Sequence, residues 1–190
     1  MTDGGADAAG EDEAKSTYKG LFGAFPYAFR TSDSRLFRSY VAIGGLLAAI
    51  VTVMFVIALL VLVANTTGTA GGVFTFSRAF FIAVGMFVLA PLIAPVLYVA
   101  RRHRRRTPIS EHYDTAMALA GYAFILALYV GLVASIPECF DFGDGTTCRD
   151  PPQGLFAPAV AVLYALPPVS GLVPPAVTGV AIVLVDRYLR

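Results

Sequence analysis

From Val41 to Ala64 the chain runs for 24 residues with Thr52 as its only clearly polar side chain. As a helix, at about 1.5 Å per residue, this stretch is roughly 36 Å long, which exceeds the ~30 Å hydrocarbon core of a bilayer and leaves room for some tilt. Composition agrees with a membrane reading. Of the 190 residues 57% are apolar and only 14% are charged, whereas soluble domains carry about 25% charged residues. Three more apolar stretches follow, over 74–100, 116–136 and 155–185. The first apolar run begins at Val41 and is too long for the hydrophobic core of a signal peptide, so no cleavable leader is expected.

Orientation follows from the run Arg101-Arg102-His103-Arg104-Arg105-Arg106 between the second and third stretches. Guanidinium groups stay charged and do not cross a bilayer, so Arg101, Arg102, Arg104, Arg105 and Arg106 act as a topology anchor and face the cytoplasm. Alternating the spans from that point places Lys15, Lys19, Arg30, Arg35, Arg38, Arg187 and Arg190 on the same side, with only Arg78 and Arg149 outside. Twelve cations against two is a strong positive-inside bias, and it predicts four spans with both termini cytoplasmic. The arginine run then faces an anionic leaflet, where each cation contributes about 1 kcal/mol of attraction.

Met1 to Ser16 is acidic and lacks apolar periodicity, so it is expected to be a disordered tail. Residues 17–40 interleave aromatic and basic residues and read as an interfacial segment rather than a nucleic-acid surface. Within it Thr31, Ser32 and Asp33 can cap a helix that continues through Arg35 into the membrane. In the second span, Pro91 and Pro95 lie four apart on one face and predict a helix break or bend near 89–94. In the third, Ala123, Ala127, Gly131 and Ser135 recur at three- or four-residue steps, a helix-packing face along which backbones can approach closely. Near its start Ser110, Glu111 and Asp114 read as a helix N-terminus. A metal site built from His103, Glu111, His112 and Asp114 lacks the closed ligand spacing that structural zinc requires.

Cys139 and Cys148, the only cysteines, flank Gly143-Asp144-Gly145 on the outer side, where an oxidising environment predicts a disulfide. The last apolar stretch is interrupted by Pro167, Pro168, Pro174 and Pro175. The preferred reading is an outer short helix over 157–166 and a fourth span over 168–185, followed by a cytoplasmic tail over 186–190. A re-entrant pair of half-helices is the alternative.

The expected fold is therefore all-α: an integral membrane bundle of four transmembrane helices, the fourth broken by prolines. Apart from Arg78 at the outer entrance of the second, no Asp, Glu, Lys, Arg or His falls within the proposed spans, no nucleophile has a base within reach, and no phosphate-binding glycine loop appears, so neither an enzyme nor a cofactor is expected. The expected function is a non-catalytic multi-pass subunit or scaffold. Its partners would be the lipid bilayer with its anionic cytoplasmic leaflet and a membrane protein or further copies of the chain; nucleic acid is not among them. The competing class is an oligomeric channel or carrier for a neutral or apolar solute, with Tyr122, Tyr129, Tyr164, Ser170 and Thr178 as its few polar lining groups.

The acidic tail, the preference for Arg over Lys and the spans rich in Ala, Val and Gly resemble the small multi-span membrane proteins of halophilic archaea. The resemblance is one of composition across the whole chain. It implies a plasma-membrane location and no particular activity.

Overall fold

The computed structural model describes residues 20–67, 72–105, 112–141 and 145–189. The acidic tail, Arg106, Ser110, Glu111, Gly143 and Asp144 lie outside the described residues. Among the described residues six α-helices occur in order: α1 (Gly20–Thr31), α2 (Arg35–Thr66), α3 (Gly72–Arg104), α4 (Tyr113–Ala134), α5 (Ala157–Tyr164) and α6 (Val173–Tyr188). A two-stranded hairpin, β1 (Cys139–Asp141) and β2 (Thr146–Cys148), follows α4, and a 3-10 turn at Pro168–Leu172 leads into α6. Four helices are long and apolar enough to cross a membrane: α2, α3, α4 and the unit formed by the 3-10 turn with α6.

α2 extends a turn or more beyond the apolar run at its start. Its N-cap is Ser34, whose hydroxyl accepts from the Phe37 amide at 3.3 Å. Thr31, Ser32 and Asp33 do not fill that role, because Ser32 turns inward to a partner on α4. At the other end, Arg78 of α3 donates through Nη2 to the Thr66 carbonyl at 2.9 Å and through Nε to its hydroxyl at 3.0 Å. A cation on the last carbonyls of a helix satisfies otherwise unpaired acceptors and complements the helix dipole.

α4 lies centrally, packed against α2, α3, α5, the 3-10 turn and α6. It is also the most enclosed of the spanning helices. Its contact face differs in part from the predicted stripe. Ala127 and Gly131 are buried and Ser135 is half-buried, but Ala123 is exposed and Gly121 takes the inward position. The reason is Tyr40. Its ring fills the space that a Gly121 side chain would need, lies 5.3 Å edge-on from Tyr122, and sends its hydroxyl to the Leu92 carbonyl at 2.6 Å.

That hydrogen bond bears on the two prolines of α3. Pro91 and Pro95 lie inside an unbroken helix. Each lacks a backbone donor, so the carbonyls of Phe87 and Pro91 lose their usual helical partner, while Tyr40 ties α2 to the neighbouring Leu92 carbonyl. The Pro91 ring packs 3.5 Å from the point where a Cβ on Gly179 of α6 would lie. Pro167 and Pro168 precede and open the 3-10 turn, and Pro174 and Pro175 occupy the first turn of α6, where a missing amide costs nothing.

α6 passes from the C-terminal end of α4 to its N-terminal end. At the former Gly171, in the 3-10 turn, meets Gly131 backbone to backbone, with Ser135 Oγ donating to the Pro168 carbonyl at 3.1 Å. At the latter Asp186 reaches the first residue of α4. The segment thus traverses the bundle and does not fold back. Residues 186–188 belong to α6 and are not a free tail, since the Asp186 carboxylate finds buried donors there.

Candidate functional site

Buried ionisable groups gather where the C-termini of α3 and α6 meet the N-termini of α2 and α4. Arg102, on the last turn of α3, is only 8% exposed. Its Nε donates to Asp186 Oδ1 at 3.1 Å, its Nη2 to the Asp186 carbonyl at 2.7 Å and its Nη1 to the Leu189 carbonyl at 3.3 Å. The guanidinium lies 4.3 Å from the centre of the Tyr113 ring, and the Tyr113 hydroxyl donates to the same Asp186 oxygen at 2.7 Å. One arginine therefore neutralises a buried carboxylate, caps the end of α6 and covers an aromatic face.

A second cluster sits beside the first. Asp114 accepts from the Ser32 hydroxyl and lies 3.1 Å from His103 Nε2. Ser34 Oγ and Thr115 Oγ1 are 3.0 Å apart, and Arg38 Nε donates to the Ser32 carbonyl at 2.8 Å. Successive residues on a helix point about 100° apart. Thus Arg102 and His103 on α3, and Tyr113 and Asp114 on α4, each send one member to either cluster. Two adjacent residues on each of two helices lock α3 and α4 to α6 on one side and to the α1–α2 junction on the other.

The arginine run is therefore not uniform. Arg101, Arg104 and Arg105 are exposed, Arg102 is buried, and Arg106 lies outside the described residues. Of the residues weighed for a metal, His103 and Asp114 come together while His112 is exposed. Among the described residues no group of three possible metal ligands forms. Tyr113 and Asp186 do not stand out in the sequence, and Ser32 does so only as a helix-capping candidate. A signal existed: Asp114 and Asp186 each stand alone at the edge of an apolar run, and a carboxylate at that depth calls for a partner.

At the opposite end Cys139 and Cys148 form a disulfide across directly paired strand positions. Arg149, next in sequence, donates to the Ile136 carbonyl at 2.6 Å and the Tyr164 carbonyl at 3.2 Å, with its guanidinium 3.8 Å from the Tyr164 ring centre. The hairpin is thereby fastened to the C-terminal ends of both α4 and α5.

The model of a domain of unknown function, DUF8056, matches residues 1–190. The chain belongs to the DUF8056 family. No curated protein and no solved structure matches it. In this DUF8056 chain, Ser32, Asp114 and His103 are the residue types of a nucleophilic triad in the wrong order. The carboxylate stands between the other two and the serine hydroxyl donates to it, so the imidazole is not placed to take the serine proton. Ser32 is also fully buried. The cluster works as an interhelical latch.

Proposed function

We propose that the protein is a non-catalytic multi-pass subunit or scaffold of the plasma membrane, with both termini cytoplasmic, acting through helix packing and its exposed loops. The observation that carries this reading is where the bundle uses its polar chemistry. At one end the buried Asp186 is paired with Arg102 and Tyr113, and Asp114 with His103 and Ser32. What they lock is a core concentrated in that half of the bundle, around Tyr40, Val96, Met117 and Ile182. Toward the other end large apolar side chains stay open, among them Met54 and Leu60 on α2, Phe76 and Phe80 on α3, and Leu132 on α4. Such surfaces suit packing against helices of another chain as well as lipid.

Three of the five hydroxyls that a solute pathway would use are engaged elsewhere: Tyr122 with Ser39, Ser170 with the Pro167 carbonyl and Thr178 with the Pro174 carbonyl. This favours the subunit over the carrier. The test is photocrosslinking in native membranes from positions 54 and 60 of α2. The reading expects a discrete adduct with a second polypeptide; adducts with lipid alone, together with a monomeric purified protein, would count against it.

A further inference from the structure

A groove of about 860 Å³ lies between α2 and α3, walled by Ala42, Gly45 and Ala49 on one side and Leu89 and Ile93 on the other, with Phe25 of α1 against it. The hollow exists because small residues recur along α2. The Phe25 ring lies 3.2 Å from where a Gly45 Cβ would stand, so α1 approaches the helix backbone at that level. Thr52, the one polar wall residue, has its hydroxyl committed to the Ala48 carbonyl at 2.6 Å. The walls offer nothing to a polar ligand.

The dimensions say what fits. Lining residues on α2 run from Val41 to Val53, roughly 18 Å along a helix, against about 15 Å for one leaflet's share of the hydrocarbon core. That length accommodates an extended hydrocarbon chain of one leaflet.

The mouth carries a charge. Arg38 stands one turn above Ala42 on the same face of α2, and helical side chains point toward the N-terminus, here the headgroup level. Its Nε is held by the Ser32 carbonyl at 2.8 Å and its guanidinium lies 5.9 Å from the Phe29 ring centre. No protein acceptor among the described residues takes its two Nη groups. Arg30 and Arg35, both exposed, add positive potential nearby. A guanidinium fixed at one nitrogen and open at the other two is suited to a phosphate.

We propose that this groove is a specific site for one anionic phospholipid, with an acyl chain between α2 and α3 and the phosphate on Arg38. The proposal rests on the membrane reading above, which alkaline washing of membranes tests by itself: the chain must stay in the pellet. For the site, the full chain in a neutral detergent is titrated with phosphatidylglycerol, with phosphatidylcholine of the same acyl chains, and with glycerol phosphate alone, and bound species are counted by native mass spectrometry. One phosphatidylglycerol is expected to be retained about ten-fold more tightly than phosphatidylcholine, and glycerol phosphate not at all. Arg38→Gln should abolish the preference, whereas Arg35→Gln leaves it within two-fold. Ala49→Phe, and separately Ala42→Phe, both at exposed positions, should weaken both lipids about ten-fold while thermal unfolding shows the fold intact. Equal retention of the two lipids by the unaltered chain, the same loss in Arg35→Gln as in Arg38→Gln, or full binding in both phenylalanine variants would overturn the proposal. So would a dimer, in place of bound lipid, that the phenylalanine variants dissociate.

Discussion

The arginines of the 101–105 run separate into two roles by burial, and substitution should tell them apart. Asp186→Asn leaves the Arg102 guanidinium buried without its counter-charge and is expected to cost about 3–5 kcal/mol, read as a lower midpoint of denaturation in detergent. Replacing Arg102 and Asp186 together by Met and Leu should cost less than either single change, because no orphan charge remains. Neutralising Arg101, Arg104 and Arg105 should leave that midpoint nearly unchanged and act on orientation instead. Tyr40 is the other residue on which several helices depend. Tyr40→Phe removes the donor to the Leu92 carbonyl and should cost about 1 kcal/mol. Gly121→Ala, despite its better helix propensity, should cost more, since the new methyl falls on the Tyr40 ring.

Between elements, backbone contact decides more than side-chain size. A Cβ at Gly131 would overlap the Gly171 carbonyl, and one at Gly171 would overlap the Gly131 carbonyl and Ser135 Oγ. Neither backbone can yield as a flexible side chain would. Gly131→Ala is thus expected to cost about 2 kcal/mol or more and to increase amide exchange in the first turns of α6 before any loss of α3. The Cys139–Cys148 link behaves differently, because its closed loop is local. In the chain-entropy model, closing about ten residues contributes roughly 2.7 kcal/mol, and that stabilisation acts on the hairpin. Cys148→Ser should expose 139–148 to proteolysis while the denaturation midpoint of the spanning helices stays in place. Some of this was legible in the sequence. Gly131 and the cysteine pair stand out by spacing and context, whereas Gly171 acquires its role only when the 3-10 turn is laid against α4, a meeting of residues 40 positions apart.

For the molecule as a whole, orientation is the property still open to a direct measurement. Single cysteines at Thr107 and Gln153, introduced into a chain whose own cysteines are replaced by serine, should label from opposite sides of intact cells. Labelling of Thr107 from outside would reverse the assignment of both termini. The latched end also bears on how the bundle holds its shape. Ser32, Arg102, His103, Tyr113, Asp114 and Asp186 come from four places in the chain and meet at one level, so loosening any one of them should be felt by four helices. Charge counting groups Arg102 with the other arginines of the run and treats them all as independent surface charges facing lipid or water.

The sequence by itself determined the number and extent of the apolar helices, since a hydrophobic run of bilayer length is a local property, and it paired the two cysteines because no other partner was available. Only the tertiary structure decided which charges turn inward and that Gly121 and not Ala123 faces the core. Each of these depends on what a distant segment brings to the site: a carboxylate from α6 for Arg102 and the Tyr40 ring for Gly121. Periodicity in one segment cannot encode the partner that another supplies.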